Sequence, residues 1–159
     1  MTVQVGDRIP ESVVTTMTES GPNPLTSTDY FSGRKVVLFS VPGAFTPTCS
    51  ARHLPGFVDH AGDLKGKGID AIACTAVNDV FVMAAWGKAA GSEAIDMLAD
   101  GNGDFVKALG LELDATGFGM GHRGQRFALV ADDGVITHLF VEEGGDFKVS
   151  SAEHVLGEL

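Results

Sequence analysis

The segment Pro42-Gly43-Ala44-Phe45-Thr46-Pro47-Thr48-Cys49-Ser50 concentrates residues that could do chemistry. Cys49 stands where a helix is expected to begin, after a short apolar run and a proline-bracketed loop. In a first helical turn, free backbone N–H groups and the positive end of the dipole face the side chain. That placement favours thiolate over thiol. A thiolate can attack a peroxide O–O bond, leaving sulfenic acid and water or an alcohol. A small buried hydrophobe starting a helix would occupy the same position equally well. Thr46 lies three residues earlier, so one turn can bring its hydroxyl beside the sulfur. The hydroxyl could accept from one peroxide oxygen while donating to the thiolate or to the other oxygen, or serve only as an N-cap or local turn. Pro42 and Pro47 have no N–H. They could wall a pocket without competing for a thiolate, or simply stiffen a turn.

A cysteine used this way needs a strand to carry the loop and a helix to receive it. Lys35–Ser40 reads as a buried strand. A helix is expected from Thr48-Cys49 toward Leu64, bent near Pro55-Gly56. Ile69–Ala76 reads as the next strand. Asn78 is the expected N-cap of a helix through Phe81, Val82 and Trp86, ending near Gly91. Ile95–Ala99 reads as a strand and Asp104–Leu109 as a short helix. Arg126–Val130 and Val135–Phe140, joined by Asp132-Asp133-Gly134, read as a hairpin. Ser151–Leu159 can form a helix capped by Ser150 or Ser151, and Glu19–Pro24 reads as a loop or hairpin end. Strands alternating with helices, then a closing hairpin and helix, argue an α/β sheet covered on both faces.

Composition bounds the partners. The chain has 159 residues, 44% hydrophobic and 20% charged, which suits one domain over residues 1–159 with a well-buried core. Its formal net charge of −10 repels phosphate backbones and anionic headgroups. Neither nucleic acid nor a membrane surface is therefore an expected partner. The first residues lack the basic and apolar regions of a secretory leader, and no stretch approaches the ~20 apolar residues of a membrane span. Cys49 and Cys74 are too few for a disulfide scaffold and match neither CxxC nor zinc spacing. The five histidines show no metal-ligand spacing. A cytoplasmic protein of a reducing compartment is expected, and a mature organelle form would read the same.

Pro42, Thr46 and Cys49 fill the pattern Pro-x-x-x-Thr-x-x-Cys, and here the chain resembles the peroxiredoxins. With His53-Leu54-Pro55-Gly56-Phe57 downstream, it looks like their type II, type-five-like branch. The likeness continues through Val77-Asn78-Asp79, Phe81, Trp86, Leu98-Ala99-Asp100, Arg126-Phe127 and Asp133-Gly134. The resemblance implies a thioredoxin-like fold, a central mixed sheet with helices on both faces, and the predicted element order agrees. It implies a thiol peroxidase acting on hydrogen peroxide and organic hydroperoxides, with Cys49, Thr46 and Arg126 catalytic. Arg126 is picked out by the resemblance alone. Its guanidinium would hold the thiolate and the charge developing on the peroxide oxygens. Arg123 and Arg52 are expected as surface or interface charges. Pro42, Gly43, Thr46 and Cys49 would contact substrate, with backbone N–H groups from Gly43 and Cys49. His53 and Phe45 would support the pocket, with His53 either shaping it or pairing with a carboxylate. No metal, haem or flavin cofactor is needed.

The same resemblance frames the reductant. Some members carry a resolving cysteine before the last helix, where this chain has Ser150-Ser151, so a C-terminal resolving step is not expected. Cys74 matches a second cysteine position of the branch, but its apolar run reads as a core strand where a thiol is usually inert. A one-cysteine cycle with glutathione and glutaredoxin, or thioredoxin, is expected, in a homodimer contacting near Phe45 and Ala76–Val80. Three other classes use similar parts. A thioredoxin-type exchange enzyme would need a cysteine where Thr46 stands, a cysteine hydrolase needs a histidine base and an orienting partner, and a redox sensor or holdase would use Cys49 for signalling.

Overall fold

The computed structural model describes all residues, Met1–Leu159. A hairpin of β1 (Val13–Thr18) and β2 (Gly21–Thr26) opens the regular structure, followed by α1 (Ser27–Phe31) and β3 (Lys35–Ser40). A widened turn, Cys49–His53, leads into α2 (Leu54–Asp59) and α3 (Ala61–Gly66). Next come β4 (Ala71–Ala76), α4 (Val80–Ala89), β5 (Asp96–Ala99) and α5 (Asp104–Leu109). The small pair β6 (Glu112–Asp114) and β7 (His122–Gly124) precedes β8 (Phe127–Asp132), β9 (Val135–Val141) and α6 (Ala152–Glu158). The seven main strands lie in the order β2-β1-β5-β4-β3-β8-β9. β3, β4 and β5 run parallel, while β8 and β9 return antiparallel beside β3. This is a mixed sheet of the thioredoxin-like kind.

The strands read as continuous apolar runs because both faces of the sheet are covered. Val37 and Phe39 of β3, with Ile72 and Cys74 of β4 and Ala128 and Val130 of β8, enter one core. Val36, Leu38, Ala71, Ala73, Phe127 and Leu129 enter the other. The first core also takes Cys49, Leu54, Phe57 and Trp86, so the reactive-loop side of the sheet is fixed by strand parity.

Two sequence expectations change and two are narrowed. Glu19–Pro24 is the hairpin end of the two options: Glu19-Ser20 turns β1 into β2, which runs through Pro22 and Pro24, as an edge strand tolerates. The helix expected from Thr48 to Leu64 is three pieces. Leu54 N–H bonds to Cys49 O, an i→i+5 contact, and the chain breaks at His60 rather than at Pro55-Gly56. Pro55 has no N–H to give, and its ring would crowd a carbonyl four residues back. The preceding turn widens to accommodate it, and no bend is needed. Asn78 does not cap α4. Asp79 does, accepting from Val82 N–H at 2.9 Å, while Asn78 Oδ1 turns back to accept from Ala44 N–H at 2.9 Å. At the last helix the cap is Ser151, whose side chain accepts from His154 N–H.

Candidate active site

Cys49 opens the widened turn and is fully buried. Its sulfur accepts from Arg126 Nη2 at 3.1 Å. Arg126 immediately precedes β8 and shares the parity of Ala128 and Val130, which sends its side chain to the face holding Cys49. The other guanidinium nitrogen, Nη1, donates to His53 Nδ1 at 2.8 Å. With Nδ1 accepting, the imidazole proton resides on Nε2, which donates to Ser150 O at 2.9 Å. Burial, reinforced by the Arg126 charge, lowers His53 to about 3, so the ring is neutral across the physiological range. His53 thus pairs with a guanidinium and a carbonyl, not with a carboxylate. Its ring also packs on Phe39, which stacks flat on Phe57 at 4.1 Å.

Thr46 lines the same cavity as Arg126. Its hydroxyl donates to Gly43 O at 2.7 Å, not to the sulfur, which leaves its lone pairs to accept from another donor. Neither Gly43 N–H nor Cys49 N–H has a protein acceptor. Pro42, Thr46, Thr48, Arg126 and Glu142 border a cavity of about 430 Å³, with Phe118 at its exposed rim. Cys49 itself is sealed beneath that lining. Phe45 sits at the loop's tip with φ 64°, a left-handed conformation that strains a bulky residue. It is half exposed and leans on Trp86 at 6.5 Å. Trp86 Nε1–H in turn donates to Ser50 Oγ at 3.0 Å, tying α4 to the turn that carries Cys49.

Cys74 faces the same core from the middle of β4, opposite Phe39 and Met97. Burial pushes its thiol well above the ordinary range, and the nearby Cys49 charge adds to this while Arg126 opposes it. Both cysteines are free. Arg123 is not a solvated charge. It is half-buried and donates to Met120 O at 2.9 Å and Val77 O at 3.0 Å, a clamp between β7 and the loop after β4. Arg52 stacks over the Phe147 ring at 4.8 Å. Sequence reasoning missed Phe147, Glu142 and Ser150. Phe147 also lies against His53, with ring centres 4.9 Å apart. The available signal was a carboxylate directly ending the apolar strand Val135–Val141.

A guanidinium that donates to the sulfur, on a loop whose Gly43 and Cys49 N–H groups have no protein acceptor, can stabilise negative charge during an attack by sulfur. Fold and site together are those of a cysteine-based oxidoreductase on a thioredoxin-like sheet. The family model described as Redoxin matches residues 4–156. The chain is 48% identical to chloroplastic Peroxiredoxin-2E-2 of Oryza sativa subsp. japonica, over 99% of this chain and 73% of that one. It is 46% identical to Peroxiredoxin-2B of Arabidopsis thaliana, over 99% and 98%. Among solved structures, reduced Prx3 of Vibrio vulnificus in complex with H2O2 superposes with a TM-score of 0.96, at 50% identity and 98% coverage of both chains. The chain belongs to the peroxiredoxins, and it is a thiol peroxidase.

Proposed function

We propose that Cys49 is the peroxidatic nucleophile, with Thr46 and Arg126 as its catalytic partners. The observation that carries this is Arg126 Nη2 donating to Cys49 Sγ at 3.1 Å. Peroxide enters the cavity beside Pro42 and Thr46. Gly43 N–H and Cys49 N–H receive its oxygens, and Thr46 accepts the substrate O–H. The sulfur forms a bond to the terminal oxygen as the O–O bond breaks. Sulfur is oxidised to sulfenic acid, the peroxide is reduced, and the leaving oxygen takes a proton to become water or an alcohol. Arg126 stabilises the charge in transit. The relative from Vibrio vulnificus was solved with hydrogen peroxide, which supports the same substrate class for this chain.

The cycle we propose uses one cysteine. Glutathione condenses with Cys49 sulfenic acid, releasing water, and a second thiol, glutathione with glutaredoxin, frees Cys49 by exchange. Thioredoxin is the runner-up reductant. Cys74 is favoured as a bystander because burial raises its thiol, although it shares a core with Cys49. Intact-mass spectrometry after one equivalent of peroxide tests this. A gain of one oxygen, or of one glutathione when that thiol is present, is expected in wild type and Cys74→Ser alike. Loss of two hydrogens with a Cys49–Cys74 cross-linked peptide would replace this cycle with an intramolecular one and favour thioredoxin. We also propose a homodimer through the face bearing Phe45 and the start of α4, where Phe45 and Phe81 are 55% and 64% exposed. Monomer alone in sedimentation of the reduced protein would count against it. No helix is long and apolar enough to cross a membrane. A reducing compartment, cytoplasm or organelle matrix, suits two unbridged cysteines.

A further inference from the structure

We propose that Glu142 is a positioning residue for the peroxide step, acting through Ser150 and His53 on Arg126; this rests on the role of Arg126 given above. Glu142 follows β9 and is 6% exposed. One oxygen, Oε2, accepts from Lys148 N–H at 2.8 Å, Val149 N–H at 2.9 Å, Ser150 N–H at 2.8 Å and Ser150 Oγ at 2.6 Å. Consecutive N–H groups converging on one anion form a nest, and bonds to a carboxylate are roughly twice as strong as neutral ones. No lysine or arginine pairs with Glu142. Its charge is instead used to fold residues 143–150, which have no helix or strand of their own, into one conformation.

That conformation reaches the sulfur by a continuous path. Ser150, pinned through both N–H and hydroxyl, presents its carbonyl to His53 Nε2–H at 2.9 Å. This bond selects the tautomer whose Nδ1 lone pair accepts from Arg126 Nη1 at 2.8 Å. With Nη1 fixed, the planar fork points Nη2 at Cys49 Sγ, 3.1 Å away. Phe147, carried by the same segment, closes over His53 and lies 5.8 Å from the Arg126 guanidinium. The backbone repeats the coupling, since Glu142 N–H donates to Arg126 O at 3.0 Å. A carboxylate that served only to tidy a surface loop would not require this aim. The segment's inward-facing polar group is the one that sets the imidazole against the guanidinium.

The test is a double-mutant cycle on the full reduced chain. Stopped-flow gives the second-order rate of hydrogen peroxide reduction for wild type, Glu142→Ala, Arg126→Met and the double variant. Misplacing a catalytic group by an ångström costs up to about 100-fold, so Glu142→Ala should slow wild type roughly 10- to 100-fold. In the Arg126→Met background it should change the rate less than about twofold, because nothing remains to be positioned. Nitrogen-15 shifts of His53 should move from a single Nε2–H tautomer toward a mixture. Equal slowing in both backgrounds, or no slowing in wild type, would overturn the proposal. Should Glu142→Ala not fold, Glu142→Gln supplies the same cycle. A slowed Glu142→Gln whose His53 tautomer is unchanged would also overturn it. Arg126→Met at full rate would remove the proposal together with the site assignment beneath it.

Discussion

A fall in pH should unfold this protein partly through His53. In the folded state the ring is fully buried, accepts from Arg126 and holds at about 3, against an ordinary value of about 6.5 when unfolded. The folded value is the lower one, so the unfolded chain binds this proton first. Stability from a neutral His53 is therefore complete above about pH 6.5 and is lost as pH falls from there toward about 3. At about pH 5 the unfolded chain is protonated 1.5 units below its own value while the folded ring is still neutral, which amounts to about 2 kcal/mol from this one group. The measurement is urea unfolding near pH 7 and near pH 5 for wild type and His53→Gln, which keeps a donor for Ser150 but does not titrate. Wild type should lose about 2 kcal/mol more than the variant between the two conditions. His60 works in the opposite sense. Its hydrogen bond to Asp63 raises it despite slight desolvation, with Glu153 adding, and that contribution is common to both proteins and cancels. Equal pH dependence of wild type and variant would show that His53 is not held neutral by burial and Arg126.

The remaining predictions concern rate. Arg126→Met should slow peroxide reduction by about 10²–10³-fold or more, the cost of losing a donor aimed at developing charge, and Arg126→Lys should recover only part because it lacks the planar fork. Thr46→Val should be nearly as damaging in the same stopped-flow assay while Thr46→Ser keeps much of the rate; a full-rate Thr46→Val protein would remove the hydroxyl from the mechanism. Cys74→Ser should turn over at near wild-type rate with glutathione and glutaredoxin, and a collapse of that rate would make Cys74 a participant.

The parts of the fold legible in the sequence were those with uninterrupted apolar runs. β3, β4 and the β8–β9 hairpin announce themselves because both sheet faces are buried, so parity does not dilute the signal. β2 was obscured by Pro22 and Pro24, which read as breakers until the strand is known to lie at an edge. β6 and β7 are three residues each, too short to show a period. The Asn78–Asp79 pair offers two good caps in succession, and local preference cannot choose when one side chain is taken by Ala44 N–H across the fold. At the site, Cys49 and Thr46 stood out through their spacing of three residues, although the Thr46 hydroxyl donates to Gly43 O rather than to the sulfur. Arg126 came from family resemblance, 77 residues away from the sulfur it touches. Glu142 and Ser150 stood in no recognisable spacing to Cys49, and their link exists only through a buried imidazole.

The charge arrangement explains why that imidazole is there. The chain carries 21 acidic residues and a net charge of −10, so a carboxylate partner for Arg126 would be easy to supply. None of the ion pairs involves Arg126. A carboxylate would orient the guanidinium but would also neutralise much of the field meant for the sulfur. His53, kept neutral by burial and by the guanidinium itself, orients Arg126 by a directional lone pair while leaving its positive charge intact. The neighbouring carboxylate, Glu142, is kept from competing in a different way. Burial opposes its charge, but the Ser150 hydroxyl and the N–H groups of Ser150, Lys148 and Val149 hold it ionised and below its ordinary range. Its negative charge is spent on that segment, which leaves Arg126 Nη2 to donate to the sulfur of Cys49.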